Sequence, residues 1–186
     1  MTVQTPSPEV ILSLASQLAD VAAEQTLKWF RAPALVTQNK WAEGFDPVTE
    51  ADRAAEAAMR ALLKVQRPDD SVIGEEAQNT VGTSGLSWVL DPIDGTRGYV
   101  SGTPTWGTLI ALNDGQQPIF GVIDQPYTAE RFVGGLGMAF LERHGVKTPL
   151  ATRKTRHLSQ ATIFTTFPEV GSPLEAEAFH AVAGQC

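Results

Sequence analysis

The sequence contains a single cysteine, Cys186, which is its last residue. One thiol excludes an intrachain disulfide framework and matches a protein kept in a reducing compartment. Long apolar runs are also missing. None approaches the roughly 20 residues that span a bilayer, and the opening MTVQTPSPEV lacks the charged region and apolar core of a secretory leader. The expected location is the cytoplasm, without membrane association. Basic runs are scarce too: 14 Lys and Arg against 21 Asp and Glu give a net charge of −7. With no Lys/Arg stripe interleaved with aromatics, nucleic acid is not expected as a partner. An acidic protein that handles an anion needs a local correction, either bound cations or backbone N–H groups.

Several chemistries lack their residues. There is no G-x-S-x-G elbow and no Walker A loop. His144, His157 and His180 do not have metal-ligand spacing and read as surface or packing residues. Gly134-Gly135-Leu136-Gly137 does not complete a dinucleotide fingerprint and reads as a hairpin glycine cluster. Cys186 has no base near it in sequence, so a nucleophilic role is not expected.

Periodicity supplies the elements. Residues 8–31 read as a helix whose apolar stripe is Val10, Ile11, Leu14, Leu18, Val21 and Ala22, with Pro8 in the first turn and Pro33 ending the pattern. Residues 34–48 read as irregular. VTEADRAAEAAMRALLKV reads as a second helix, with Thr49 as N-cap, Asp52 closing a capping box, and Ala55, Met59, Leu62 and Leu63 buried. The period then changes. SVIG, SWVLD, TLIAL, PIFGVID and ERFVGG are short strand-like runs, and Asn113-Asp114-Gly115 is a hairpin turn between two of them. ATIFTTF (161–167) is a further strand candidate, and Ser172-Pro173-Leu174-Glu175 starts a last helix. Helices first and a largely antiparallel sheet after them predict an α+β (mixed α/β) fold. The polar, basic stretch over 145–160 suggests a boundary, giving an N-terminal lobe over 1–150 and the start of a second lobe over 151–186.

Three acidic clusters sit at element ends: Asp46 and Asp52, Glu75 and Glu76 after Gly74, and Asp91 and Asp94. Singly, each has a plain reading: a capping acid, a solvated loop, a type I turn at Asp91-Pro92-Ile93-Asp94-Gly95. Two apolar strands that each end in carboxylates would instead gather acids whose repulsion needs cations between them. Mg²⁺ suits such an oxygen-only set, and Gly95 and Thr96 would add backbone N–H groups for a phosphate. Metal-assisted phosphate-ester hydrolysis is the chemistry these residues suggest.

DPVTEAD (46–52), GEE (74–76) and WVLDPIDGT (88–96), in that order and spacing, resemble the inositol monophosphatase-like family of Mg²⁺-dependent, lithium-sensitive phosphatases. The continuation DGTRGYVSGTPTWGTLIAL, with GVIDQP and ERFVGG, is most similar to the histidinol-phosphate phosphatase branch. The resemblance implies a layered α-β-α-β-α sandwich of the sugar-phosphatase type and two or three Mg²⁺ ions. Glu75, Asp91 and the Ile93 carbonyl would ligate the first ion, Asp91 would bridge to the second, and Asp94 would ligate that one. Glu76 would stand close by, reaching a third ion through water. Thr96, paired with Asp52, would orient and deprotonate the attacking water, and the Gly95 and Thr96 N–H groups would bind the phosphate. Histidinol phosphate is the implied substrate, with inositol monophosphate or a nucleotide 3'-phosphate as alternatives, and the full-length family implies a homodimer. Family members carry a further Asp, in a Trp-Asp motif, and substrate-selecting residues beyond the length present here. A fragment or truncated product with an incomplete second lobe is therefore expected, with a catalytically silent metal- and phosphate-binding module as the rival reading.

Overall fold

The computed structural model describes residues 5–33, 37–39, 47–165 and 171–186. The chain divides into two compact units, Met1–Leu150 and Ala151–Cys186.

The first unit opens with helix α1, Pro8–Trp29, and a short antiparallel pair, β1 (Thr37–Asn39) with β2 (Pro47–Thr49). That pair lies where the sequence reads as irregular; three-residue strands are too short for periodicity to reveal. Helix α2 spans Glu50–Gln66. A sheet follows in the order β3 (Ser71–Gly74), β4 (Ser87–Asp94), β5 (Gly107–Asn113), β6 (Pro118–Gln125), β7 (Glu130–Gly135), β8 (Met138–Arg143) and β9 (Val146–Pro149), with helix α3 (Thr96–Val100) between β4 and β5. Every neighbouring pair is antiparallel except β3–β4, which is parallel. The fold is mixed α+β.

Both long helices begin as their sequences predict. Pro8 opens α1, and Thr49 and Asp52 form a reciprocal capping box on α2. Ile11, Leu14 and Leu18 of α1 and Ala55, Met59 and Leu63 of α2 pack with Trp88, Leu90, Ile110, Leu112, Phe120 and Val122 of the sheet in one buried cluster. Ala15, Ala19 and Ala22 lie buried on the same side of α1 and let neighbouring backbones approach. Val10, counted in the predicted stripe, is instead 53% exposed: it sits one position off the buried row of Ile11, Leu14 and Leu18.

A smaller cluster of Phe30, Ala51, Ile93, Tyr99 and Trp106 gathers the end of α1, the first turn of α2, the end of β4 and α3. The Tyr99 hydroxyl donates to the Thr26 carbonyl at 2.7 Å, fastening α3 to α1. Ala51 and Ile93 of this cluster directly precede Asp52 and Asp94 in the chain.

The predicted hairpins are present. Asn113 Oδ1 accepts from Gly115 N, and Asp114 Oδ1 accepts from Gln116 N and Gln117 N. Leu136 and Gly137 have positive φ, 52° and 80°, and turn β7 into β8, as primed hairpin turns require. Strands β8 and β9 lie in a stretch that the sequence reads as approaching a boundary.

The second unit contains a 3-10 turn at Leu158–Gln160 and helix α4, Pro173–Ala183. Ser172 and Glu175 form the predicted capping box. The strand expected over 161–167 is not formed at 161–165, and 166–167 lie outside the described residues. Those five residues have no ladder partner, and an apolar run becomes a strand only where a sheet edge receives it.

Candidate active site

The parallel pairing of β3 and β4 builds the site. Its register sets Ser71 opposite Ser87 and Gly74 opposite Leu90. Strand β3 therefore ends beside Leu90 of β4, and Glu75, next after Gly74, emerges beside Asp91, next after Leu90. A connection of about a dozen residues, the least that a parallel crossover needs, joins them through a bridge between Val72 and Thr80.

Asp91-Pro92-Ile93-Asp94 is not a turn, as its Pro, Asp and Gly content suggests; it is the end of β4. Asp91 pairs with Leu109 and Asp94 with Gly107, so the register shifts by one residue between them. Residues three apart on a regular strand face opposite sides. A bulge with one extra residue returns them to the same side. Pro92 is tolerated because β3 pairs with β4 only as far as Leu90, so no ladder donor is lost there. The Thr108 hydroxyl donates to the Pro92 carbonyl at 2.8 Å and steadies the bulge.

The electrostatics follow from this placement. The Asp91 carboxyl is pushed up to about 7, first by burial, then by the charges of Glu75 and Asp94 and a hydrogen bond with Glu75. The Ile93 backbone N–H opposes this. Asp91 Oδ1 is buried with no hydrogen-bond partner.

Among the described residues no group of three or more His, Cys, Asp and Glu side chains is arranged to hold a metal ion. The chemistry of Glu75, Asp91, Asp94 and the Ile93 carbonyl nonetheless fits a hard cation. An orphaned buried carboxylate oxygen and two acids sharing a hydrogen bond are what a divalent ion would satisfy by displacing the proton.

Gly95 follows Asp94 in the left-handed conformation, φ 86° and ψ 37°, and caps α3. A Cβ there would lie 2.6 Å from the Thr105 carbonyl oxygen, so only glycine fits. The Thr96 hydroxyl donates to the Ile93 carbonyl at 3.0 Å. Asp52 Oδ2 accepts from Thr49 N at 2.8 Å and Thr49 Oγ1 at 2.6 Å, which fixes the carboxylate in the first turn of α2. Asp52 lies near α3: burial chiefly, then the Asp52 charge, raises the Tyr99 hydroxyl above its ordinary range.

An inositol monophosphatase family model matches residues 7–182. The chain belongs to this family. A histidinol-phosphatase from Streptomyces coelicolor is 41% identical over 157 residues, covering 81% of this chain and 56% of that protein. An inositol-1-monophosphatase from Rhizobium meliloti is 37% identical over 133 residues, covering 68% of this chain and 47% of that protein. Among solved structures, an inositol monophosphatase from Zymomonas mobilis matches with a TM-score of 0.78 at 38% identity, covering 98% of this chain and 68% of that one. The chain spans about half the length of the curated relatives it matches.

Within this family member, the structure brings Glu75, Asp91 and Asp94 to one edge, with Gly95 and Thr96 directly after them and Asp52 on the adjoining helix. Asp46 lies outside the described residues. His144 stands in the β8–β9 turn, and His157, His180 and Cys186 are exposed and belong to the second unit. One residue escaped the sequence reading. Glu56, 1% exposed on α2, accepts hydrogen bonds from the backbone of the Glu75–Glu76 loop. On an amphipathic helix a lone glutamate reads as solvated, and its spacing of four from Asp52 was the only signal available.

Proposed function

We propose that this family member is a Mg²⁺-dependent phosphomonoesterase acting on a small soluble phosphate ester, histidinol phosphate first. The observation that carries the proposal is the convergence of Glu75, Asp91 and Asp94 directly before the left-handed Gly95 and Thr96. Histidinol phosphate is favoured by the relative at 41% identity that bears the name histidinol-phosphatase. Inositol monophosphate is the second reading, favoured by the relative named inositol-1-monophosphatase.

Glu75, Asp91 and the Ile93 carbonyl would hold one ion; Asp91 and Asp94 would hold a second, with Glu76 close by. Bound Mg²⁺ would supply acidification of water and neutralisation of the phosphate charge. The N–H groups of Gly95 and Thr96 would grip the phosphate oxygens as a backbone nest. The Thr96 hydroxyl, turning from the Ile93 carbonyl toward Asp52, would orient the attacking water and pass its proton to that carboxylate. Asp52 suits the role because its two bonds from Thr49 prevent it from swinging away. Occupancy by two or three ions, inhibition by Li⁺, a cytoplasmic location and a homodimer at full length complete the proposal.

The test is an assay of this chain with Mg²⁺ against histidinol phosphate, inositol 1-phosphate and a nucleoside 3'-phosphate, beside Asp91→Asn. Fastest release from histidinol phosphate, lost in the variant, is expected. Equal release by both proteins refutes the metal mechanism. No release by either, with Mg²⁺ binding retained, identifies a silent binding module.

A further inference from the structure

We infer that Glu56 is a positioning residue: it fixes the loop that carries Glu75 and Glu76, and through it the affinity of the site for divalent cations. The inference rests on the metal reading proposed above.

Glu56 occupies a place where a hydrophobic residue would be expected. It follows Ala55 on the inner side of α2, in a helix that otherwise buries Ala51, Met59 and Leu63, and its side chain is almost wholly buried. Burying a carboxylate is costly unless it is paired and hydrogen-bonded, and here every bond leads to one loop or to the residue that braces it. Glu56 Oε2 accepts from Glu76 N at 2.7 Å. Glu56 Oε1 accepts from Ala77 N at 3.0 Å and from Arg60 Nε at 2.7 Å. Arg60 Nη2 in turn donates to the Ala77 carbonyl at 3.2 Å. Two consecutive N–H groups and one carbonyl after β3 are thus tied to α2.

Gly74 closes the clamp from the other side. A Cβ at that position would run into the Glu56 carboxyl and lie 2.6 Å from Arg60 Nη2. The glycine lets the end of β3 press directly on the acid. Glu75 is held between a residue packed on Glu56 and a residue bonded to it, so its backbone cannot shift without breaking this clamp.

The same helix carries Asp52 one turn earlier, at the spacing that puts two side chains on one face. Helix α2 therefore braces two arms of the site: Asp52 beside α3, and Glu56 under the Glu75–Glu76 loop. An outer acid that orients a loop of ligands would affect cation affinity as ligand-supporting partners do, by about 10- to 100-fold.

The test titrates Mn²⁺ into this chain without substrate, following free Mn²⁺ by electron paramagnetic resonance, with melting in EDTA measured alongside. Glu56→Gln keeps the shape but replaces one acceptor oxygen by a donor facing an N–H. It is expected to weaken Mn²⁺ binding about 10- to 100-fold. Gly74→Ala, which crowds the clamp from the strand side, is expected to weaken it in the same direction. Asp70→Asn removes a buried partner of Arg67, Ser84 and Trp88 outside this loop, and should lower the melting temperature without moving Mn²⁺ affinity. Glu75→Gln separates the two levels of the argument. If it weakens Mn²⁺ binding while Glu56→Gln and Gly74→Ala leave it within twofold, the positioning role is overturned and the metal reading stands. If Glu75→Gln also leaves Mn²⁺ binding unchanged, or the unaltered chain binds no Mn²⁺, both fall. Should Glu56→Gln give no cooperative transition in EDTA, Gly74→Ala decides.

Discussion

Asp91→Asn should stabilise the protein in the absence of metal, increasingly so as the pH rises. Burial, then the charges of Glu75 and Asp94, push the Asp91 carboxyl from 3.8 up to about 7. The folded value lies above the unfolded one, so the native state holds the proton more tightly. That stabilisation is complete below about pH 4 and is lost as the pH rises through about 7. At 1.36 kcal/mol for each pH unit between the two values, the ceiling is about 4 kcal/mol. The carboxylate is only partly buried and both acid neighbours are exposed, so solvent screening cuts this to about 1–2 kcal/mol. Asn keeps the shape, cannot ionise, and its amide can donate to Glu75. For a chain of this length 1 kcal/mol moves the melting temperature by about 2–4 °C. Calorimetry in EDTA at pH 4.5, 6 and 8 should show the variant gaining about 2–8 °C on the parent across the series. Saturating Mg²⁺ should reverse the order at pH 8, because a ligand at 100 times its Kd adds about 2.7 kcal/mol to the parent. A difference that stays flat with pH in EDTA, or a variant less stable at pH 8, refutes the account of Asp91.

Three further changes probe other parts. Gly95→Ala forces a side chain into a left-handed position, which costs about 1–2 kcal/mol, and into the Thr105 carbonyl. Phosphate release should fall by more than 100-fold, with the far-ultraviolet spectrum unchanged; full activity would show that the cradle is misplaced. Thr96→Val should lower kcat by about 10²–10⁴, the usual value of positioned proton transfer, while Mn²⁺ affinity stays the same. Asp70→Asn leaves Arg67 without its bidentate partner and should cost about 1–3 kcal/mol by urea unfolding. The bonds from Arg67, Ser84 and Trp88 outweigh burial and hold the Asp70 carboxyl below its ordinary value. Its contribution is therefore present above pH 3.8 and lost as the pH falls through the lowered value, and Asp70→Asn should flatten the acid limb of the stability curve.

The helices were legible because their signals are local. Thr49 with Asp52 and Ser172 with Glu175 each announce a helix start within four residues, and the structure forms both capping boxes. The strands from Ser71 to Gly135 were legible by composition, and the family by three short motifs. What stayed hidden depends on partners far along the chain. Asp91-Pro92-Ile93-Asp94-Gly95 has every residue a type I turn wants, yet β5 pairs on both sides of it and makes it a bulged strand end. Glu56 looked like one more helical charge because its partners are backbone groups 20 and 21 positions away. ATIFTTF looked like a strand, but 161–165 take part in no ladder.

Strand direction was the least readable feature and the most consequential. Had β3 run antiparallel to β4, as every other neighbouring pair does, Gly74 would face Ser87 instead of Leu90. Glu75 would then lie opposite Leu86, displaced from Asp91 by about five residues, or roughly 17 Å at 3.4 Å per residue. At that range two partly exposed carboxylates lie beyond the Debye length of about 8 Å at physiological salt. Glu75 would no longer press on Asp91, the hydrogen bond between them would be impossible, and Asp91 would keep only its burial penalty and the charge of Asp94. One parallel pair in an otherwise antiparallel sheet is thus the topological condition for the acidic edge. The bulge after Asp91 then adds Asp94, and the clamp from Glu56 keeps Glu75 in place.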